Sequence, residues 1–211
     1  MIDGLLFNLC ALAAGVYLLH LWRIDLRVRS SSASLDTRAL LPGSTPASLS
    51  ACSIAVIGAL LLIAALTWTE HAMGWLATQR TLSPWFLGAM LGAAITEELV
   101  FRGYLVVQHR GRTLLVLSAI TFSIVFALMH PYLWTHASQP QNVIEWITKL
   151  RLSLTPQNLL ATTSILILSL WYYTVRFAAF NPTHSLLPCF CAHAAANLTV
   201  FLIKLSTGHI N

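Results

Sequence analysis

Charged side chains are scarce in this sequence. Asp, Glu, Lys and Arg together make up 9% of the 211 residues, whereas hydrophobic residues make up 57%. A soluble domain of this size would carry about a quarter charged residues. The composition therefore excludes an ordinary water-soluble fold and predicts an integral membrane protein, with residues 1–211 forming a single membrane domain.

Several motifs of other protein classes are missing as well. No basic tract with interleaved aromatic residues is present, so the net charge of +5 is attributed to loops near lipid headgroups and nucleic-acid binding is excluded. Cys10, Cys52, Cys189 and Cys191 lack the spacing of common metal or redox pairs, which predicts buried structural thiols without a disulfide framework. The HExxH and Glu-x-x-His patterns of zinc proteases and di-iron proteins are absent.

Long apolar runs are what the sequence does contain. A membrane-spanning helix needs about 20 mostly apolar residues. Six segments qualify: Ile2–Leu21, Leu49–Trp68, Trp85–Val107, Thr113–Met129, Asn158–Val175 and Leu186–Leu205. We therefore predict an all-α, polytopic transmembrane helical bundle of about six spans. Tryptophans near segment ends are typical of the membrane interface, and four lie at such positions: Trp22, Trp68, Trp85 and Trp134.

The connecting segments indicate an orientation. Seven basic residues lie in the first, third and fifth loops and four on the opposite side, which favours an outside N-terminus. The first segment is not interpreted as a cleavable signal peptide, because its arginines follow the apolar run. Residues 30–50, rich in Ser, Pro and Gly, predict a flexible loop. Residues 143–154 predict a short amphipathic helix that either covers a site or lies on the headgroups.

Three charges interrupt the third apolar segment, in the stretch ITEELVFRGYL at 95–105. A lone charge at mid-helix costs roughly 2.5–3.5 kcal/mol in a membrane, so each needs a partner or a water-filled cavity. Glu98 and Arg102 are four residues apart with the acid first, which favours an ion pair. Glu97 lies about 100° round the helix and is left over. A buried ion pair plus one protonated carboxyl, serving only to hold helices together, is the structural alternative.

Two later segments add further polar residues. His130 ends the stretch FALMH, and HAAAN places His193 and Asn197 four residues apart on one helical face. Each of these residues alone is compatible with hydrogen bonding between packed helices. Together with Glu97 they suffice for hydrolysis. A glutamate accepts a proton from water, a histidine orients that water, and a His–Asn pair donates hydrogen bonds to an oxyanion.

The three stretches match the motifs EExxxR, FxxxH and HxxxN, in this order on successive apolar segments. The chain thereby resembles the CAAX prenyl protease and bacteriocin-processing (CPBP) family of glutamic intramembrane proteases, also called the abortive-infection (ABI) family. The resemblance covers a catalytic core at residues 85–205. It implies these roles: Glu97 as catalytic base, Glu98 as its motif partner, Arg102 as structural counter-charge, His130 as the histidine that holds the water, His193 and Asn197 as the oxyanion-stabilising pair, and Phe126 as a packing residue.

The resemblance also implies a function. We expect an intramembrane endopeptidase that needs no metal or other cofactor and cleaves a membrane-anchored protein or peptide near its terminus. The chain is shorter than the full prenyl proteases of the family, which favours a bacterial relative in the inner membrane with another substrate. Zinc held by Glu97, His130 and His193 is one alternative. A non-enzymatic immunity protein or proton-coupled transporter, with the buried Glu/His/Arg set as glue or proton path, is the other.

Overall fold

The computed structural model describes residues 2–31, 41–79, 81–136 and 143–210. Its elements follow one another in this order: α1 (Ile2–Ser31), α2 (Leu49–Ala72), a 3₁₀ turn (Leu76–Thr78), α3 (Phe86–Glu97), a π-helix (Glu98–Leu105), α4 (Arg112–Met129), β1 (Trp134–His136), α5 (Val143–Thr148), β2 (Leu150–Leu152), α6 (Pro156–Phe177) and α7 (Leu187–Ser206). The predicted all-α membrane bundle is confirmed, since α1, α2, α4, α6 and α7 are each long and apolar enough to cross a membrane.

The third predicted span differs from a plain α-helix. Here the 12-residue α3 passes directly into the eight-residue π-helix. A π-helix has one more residue between hydrogen-bonded groups than an α-helix, is rare, and occurs frequently at functional sites. The change of helix type falls between Glu97 and Glu98, so the two acids of the EExxxR motif stand at the junction.

Local residues set where the long helices begin. The Ser48 hydroxyl accepts a hydrogen bond from the Ala51 N–H at 3.1 Å and caps α2. The Thr155 hydroxyl does the same for the Asn158 N–H at 3.2 Å at the start of α6. Pro156 follows that cap, at a position where the missing N–H leaves no hydrogen bond unmade.

Small residues let neighbouring helices approach closely. A Cβ atom added to Gly92 on α3 would overlap the carbonyl group of Ala11 on α1, and one added to Gly15 would overlap Gly92. The helices α2 and α7 also pack against each other, as do α4 and α6 and α3 and α7. Such contacts replace the hydrophobic effect that is missing between helices in lipid, and they bring α3, α6 and α7 round a common centre.

The end of the first helix and its tryptophan were predicted wrongly. The helix α1 continues past Leu21 to Ser31, so Arg23, Arg27 and Arg29 lie on helical turns rather than in a loop. Arginine is a good helix former, and a helix does not stop where an apolar run stops. Trp22 is 1% exposed and donates a hydrogen bond from Nε1 to the Pro42 carbonyl at 3.3 Å. It anchors the following loop and does not belong to an interfacial belt.

The predicted flexible loop is only partly covered by the structure, because residues 32–40 lie outside the described ranges. Residues 41–48 are held against the connection between α6 and α7. The Leu186 N–H donates to the Gly43 carbonyl at 3.1 Å, and the Ser185 hydroxyl donates to the Thr45 carbonyl at 2.6 Å. This loop thereby supports the first turn of α7.

Residues 143–154 are helical only in their first half. The helix α5 ends at Thr148, and β2 then pairs antiparallel with β1, with Trp134 opposite Leu152. The predicted amphipathic helix is therefore wrong beyond Thr148. Because β1 begins shortly after His130, the strand pair stands beside the end of α4.

All four cysteines are free thiols. Cys189 is buried, as predicted, whereas Cys10 is exposed and Cys52 and Cys191 are half-buried. The prediction of buried thiols failed for Cys10 because an apolar run on an outer helix faces lipid as readily as it faces the protein.

Candidate active site

The charged residues of the EExxxR stretch form one end of the site. Arg102 Nη1 donates a hydrogen bond to Glu98 Oε1 at 3.1 Å, and both side chains are fully buried. The structure thus contains the ion pair that the spacing predicts. Arg102 Nη2 donates to the carbonyl and the hydroxyl of Ser169 on α6, and that hydroxyl donates to Ser123 on α4 at 2.9 Å. One guanidinium therefore ties the π-helix to two other helices.

Aromatic rings enclose the same guanidinium. Its central carbon lies 4.7 Å from the ring centroid of Phe126, 5.0 Å from that of Tyr173 and 5.3 Å from that of Tyr172. The π-faces of such rings attract a cation, and more strongly where water is excluded. The buried charge of Arg102 is thus compensated by one carboxylate and by ring faces from α4 and α6.

His193 joins the two glutamates. Its Nδ1 lies 2.8 Å from Glu98 Oε1, and since a carboxylate oxygen accepts hydrogen bonds, Nδ1 carries the proton of this bond. On the opposite side of the ring, Nε2 lies 3.7 Å from Glu97 Oε2. The first helix turns of α7 and the junction of α3 with the π-helix therefore meet at this imidazole.

Two aromatic rings fix the plane of the His193 imidazole. Tyr172 on α6 stacks on it, with centroids 4.9 Å apart and planes inclined by 21°. Phe126 on α4 approaches it edge-on at 6.5 Å. Aromatic pairs favour such offset-stacked and edge-to-face arrangements. The ring orientation is thus determined by contacts with two helices in addition to the bond to Glu98.

Glu97 differs from Glu98 in its surroundings. The side chain of Glu97 is 30% exposed, whereas that of Glu98 is fully buried. Among the groups that interact electrostatically with Glu97 are His193 and His130. Glu97 is therefore the acid of the pair that a water molecule and a substrate can reach, in agreement with the predicted division of roles.

His130 stands at the end of α4. Its Nδ1 donates to the Phe126 carbonyl at 2.8 Å, which leaves Nε2 as the other ring nitrogen for contacts with a reactant. The ring lies 4.7 Å from that of Phe126 and is parallel to that of Tyr132. Phe126, predicted as a packing residue, thus contacts both histidines and the Arg102 guanidinium.

Asn197 lies one helical turn after His193 and reaches α3. Its Nδ2 donates to the Met90 carbonyl at 2.8 Å. An amide nitrogen carries two N–H groups, so this bond takes one of them. Asn197 thus holds α7 to α3 while one N–H remains for another acceptor.

The predicted site residues therefore come from three helical segments and meet in one region. Sequence reasoning missed the contribution of α6, which supplies Ser169 to Arg102 and Tyr172 to His193. A signal was present: Ser169, Tyr172 or Tyr173, and Arg176 recur at intervals of three or four residues in a predicted span, and all are buried. Polar groups spaced in this way mark a helix face that turns toward a polar interior.

The grouping of side chains bears on the zinc alternative. Within the ranges that the structure describes, no three His, Cys, Asp or Glu side chains form a group that could hold a metal ion. Glu97, His130 and His193 do not make up such a ligand set.

Comparison with protein families decides the relationship of the chain. A family model described as Rce1-like, type II CAAX prenyl endopeptidase, matches residues 79–199, which is more than half of the chain and contains all three motifs. The chain belongs to this Rce1-like family. The resemblance inferred from the motifs is confirmed, and the Rce1-like chain is an integral membrane protein of a protease family. Comparisons with curated proteins and with solved structures found no similar protein.

Proposed function

We propose that this Rce1-like protein is a metal-independent glutamic endopeptidase that cleaves a membrane-anchored protein or peptide near its terminus. The observation that carries the proposal is the position of Glu97 Oε2, 3.7 Å from His193 Nε2, with Glu98 bound to the other nitrogen of the same ring. A base and an oxyanion donor thus stand side by side, as acyl transfer to water requires.

In the proposed reaction, Glu97 takes a proton from a water molecule that His130 Nε2 orients. The water oxygen bonds to the carbonyl carbon of the scissile peptide, and the carbonyl oxygen becomes an oxyanion. His193 Nε2–H and the remaining N–H of Asn197 donate to that oxyanion. The C–N bond then breaks, and the proton held by Glu97 passes to the leaving amine.

Glu98 and Arg102 act through His193 in this scheme. Because Nδ1–H is donated to Glu98, a second proton on Nε2 makes the ring an imidazolium. The carboxylates of Glu97 and Glu98 balance this charge, and Arg102 holds Glu98 in place. Glu98 and Arg102 are therefore positioning residues, whereas Glu97, His130, His193 and Asn197 contact the reactants.

The substrate follows from the location of the site. The reacting groups lie on helices that cross the membrane, so the scissile bond has to reach them from a segment that is itself anchored in or on the bilayer. We assign the protein to a bacterial inner membrane on the resemblance of its motifs and on its length.

The experiment that tests the function compares native membranes of cells that produce the wild type or the Glu97→Gln variant. The substituted glutamine keeps the shape of the side chain and cannot act as a base. The termini of all membrane proteins are then sequenced by mass spectrometry. The proposal expects at least one uncleaved precursor to accumulate with the variant; identical termini in both samples would refute it.

A further inference from the structure

Two cysteines outside the site lie side by side on neighbouring helices. The Cys191 thiol on α7 forms a side-chain hydrogen bond with Cys52 on α2. Both residues are half-buried and free. The proposed reaction uses neither of them, so the pair needs an explanation of its own.

The packing of the two helices places these thiols at the same depth. Further along, α2 and α7 together line a groove of about 400 Å³, to which Leu60 and Thr199 contribute, as do Ala64 and Ile203. Each of these two pairs has the same separation in sequence as Cys52 and Cys191. The helices therefore run in parallel and in constant register, and the thiols are level with each other.

The interface between the helices is also narrow. Ala55 and Ala59 on α2 belong to the same buried cluster as Ala192 and Ala196 on α7. Alanines allow helix backbones to approach closely. A disulfide needs Cα atoms within about 4.4–6.8 Å of each other, a distance that side chains this small make accessible.

We propose that Cys52 and Cys191 are a redox-sensitive pair that a peroxide converts to a disulfide linking α2 to α7. One thiol takes an oxygen atom from the peroxide to form a sulfenic acid, and the rest of the peroxide leaves as water or an alcohol. The second thiol displaces that oxygen as water, and the S–S bond forms. The two thiols are oxidised by two electrons, the peroxide is reduced, and a dithiol reverses the step by exchange.

Such a link would act close to the site without touching it. Cys191 precedes His193 by two residues on α7, so the disulfide would fasten the helix turn that carries the histidine to α2. The inference goes beyond the proposed function and does not depend on it, because the modification is measured on the protein itself.

The test uses the full-length protein in native membranes with Cys10→Ser, since the exposed Cys10 could link two molecules. The membranes are treated with hydrogen peroxide, the protein is denatured, and free thiols are counted by alkylation with N-ethylmaleimide. The expected result is a fall from three alkylated thiols to one, at Cys189, together with a linked peptide pair containing Cys52 and Cys191. Dithiothreitol should restore all three.

A second variant separates the pair from its members. With Cys52→Ser added, Cys191 loses its partner, and peroxide should produce no linked peptide at Cys191. Three alkylated thiols after peroxide in the Cys10→Ser protein would overturn the proposal. So would irreversible oxidation of both cysteines without a link, or a link that involves Cys189.

Discussion

His193 and Glu98 are joined by a hydrogen bond of 2.8 Å between Nδ1 and Oε1. The same carboxylate oxygen accepts the hydrogen bond from Arg102 at 3.1 Å. The second glutamate of the EExxxR stretch thus connects the arginine of its own helix with the histidine of α7. Glu97, on the α-helical side of the junction, faces the other nitrogen of that histidine. The change of helix type at this point accompanies the separation of two adjacent acids into a buried one and an accessible one.

Arg102→Ala is expected to destabilise the fold. The substitution leaves the Glu98 carboxylate buried without its cation, and breaking a buried pair in this way costs about 3–5 kcal/mol. Unfolding in detergent followed by tryptophan fluorescence measures the effect. Lys149→Ala is the matched control, because the Lys149–Glu145 pair is also four residues apart but about one-third exposed, and such pairs contribute less than about 1 kcal/mol. Equal losses in the two variants would contradict the role of Arg102.

Tyr172 is expected to act as a positioning residue through its ring. Tyr172→Leu removes the surface on which the His193 imidazole stacks and should lower kcat by about 10²-fold, the cost of a misplacement near 1 Å, with KM little changed. Tyr172→Phe keeps the ring and should retain a kcat close to that of the wild type. The rates are measured on a reporter carrying the trapped cleavage site. A loss as large in Tyr172→Phe as in Tyr172→Leu would show that the hydroxyl, not the stacking, matters.

Asn197→Ala separates a catalytic role from a packing role. Loss of an oxyanion donor should reduce kcat by about 10²–10³-fold. Loss of the hydrogen bond to the Met90 carbonyl should cost stability by only about 1 kcal/mol. Thr199→Ala is the control on the same helix, since its hydroxyl bonds only within α7, to the Ala195 carbonyl, among the described contacts. If Asn197→Ala lowers stability and leaves kcat unchanged, the amide serves packing alone.

Gly92→Ala tests the close contact between α1 and α3. The added methyl group would overlap the backbone of Ala11, which cannot rotate away, so overpacking of about 1–3 kcal/mol is expected. Gly88→Ala, one turn earlier on α3, would meet a terminal methyl of Leu12 at 3.3 Å, and this flexible group can move. Its melting temperature should therefore stay closer to that of the wild type. The reverse order of melting temperatures would mean that the helices do not cross at Gly92.

The number and position of the spans could be predicted because length and apolarity alone define a membrane helix. The helix type could not. An apolar run such as that before Glu97 suits α-helix and π-helix equally, and the pattern of Leu99, Phe101 and Gly103 contains nothing that distinguishes i+4 from i+5 hydrogen bonding. The burial of Trp22 was equally hidden, because its partner is the carbonyl of Pro42 on a loop.

The candidate site could be predicted as far as single helices reach. The Glu98–Arg102 pair follows from spacing along one helix, and the polar residues of α4 and α7 were conspicuous in apolar runs. The contact between Glu98 and His193 is set by how α7 packs on α3, and the stacking of Tyr172 on His193 by how α6 packs on α7. Such relationships arise from tertiary packing, which one sequence does not encode in any local pattern.

The central claim is that Glu97 is the base of a peptide hydrolysis that needs no metal. Its most direct test is the rate at which purified wild-type and Glu97→Gln proteins, reconstituted in identical lipid vesicles, cleave a peptide spanning the trapped site, with and without a metal chelator. We predict that the wild type cleaves at the same rate in both conditions. The variant should be slower by at least about 10²-fold with an unchanged melting temperature. Equal rates for the two proteins, or loss of wild-type activity with the chelator and its recovery with zinc, would contradict the claim.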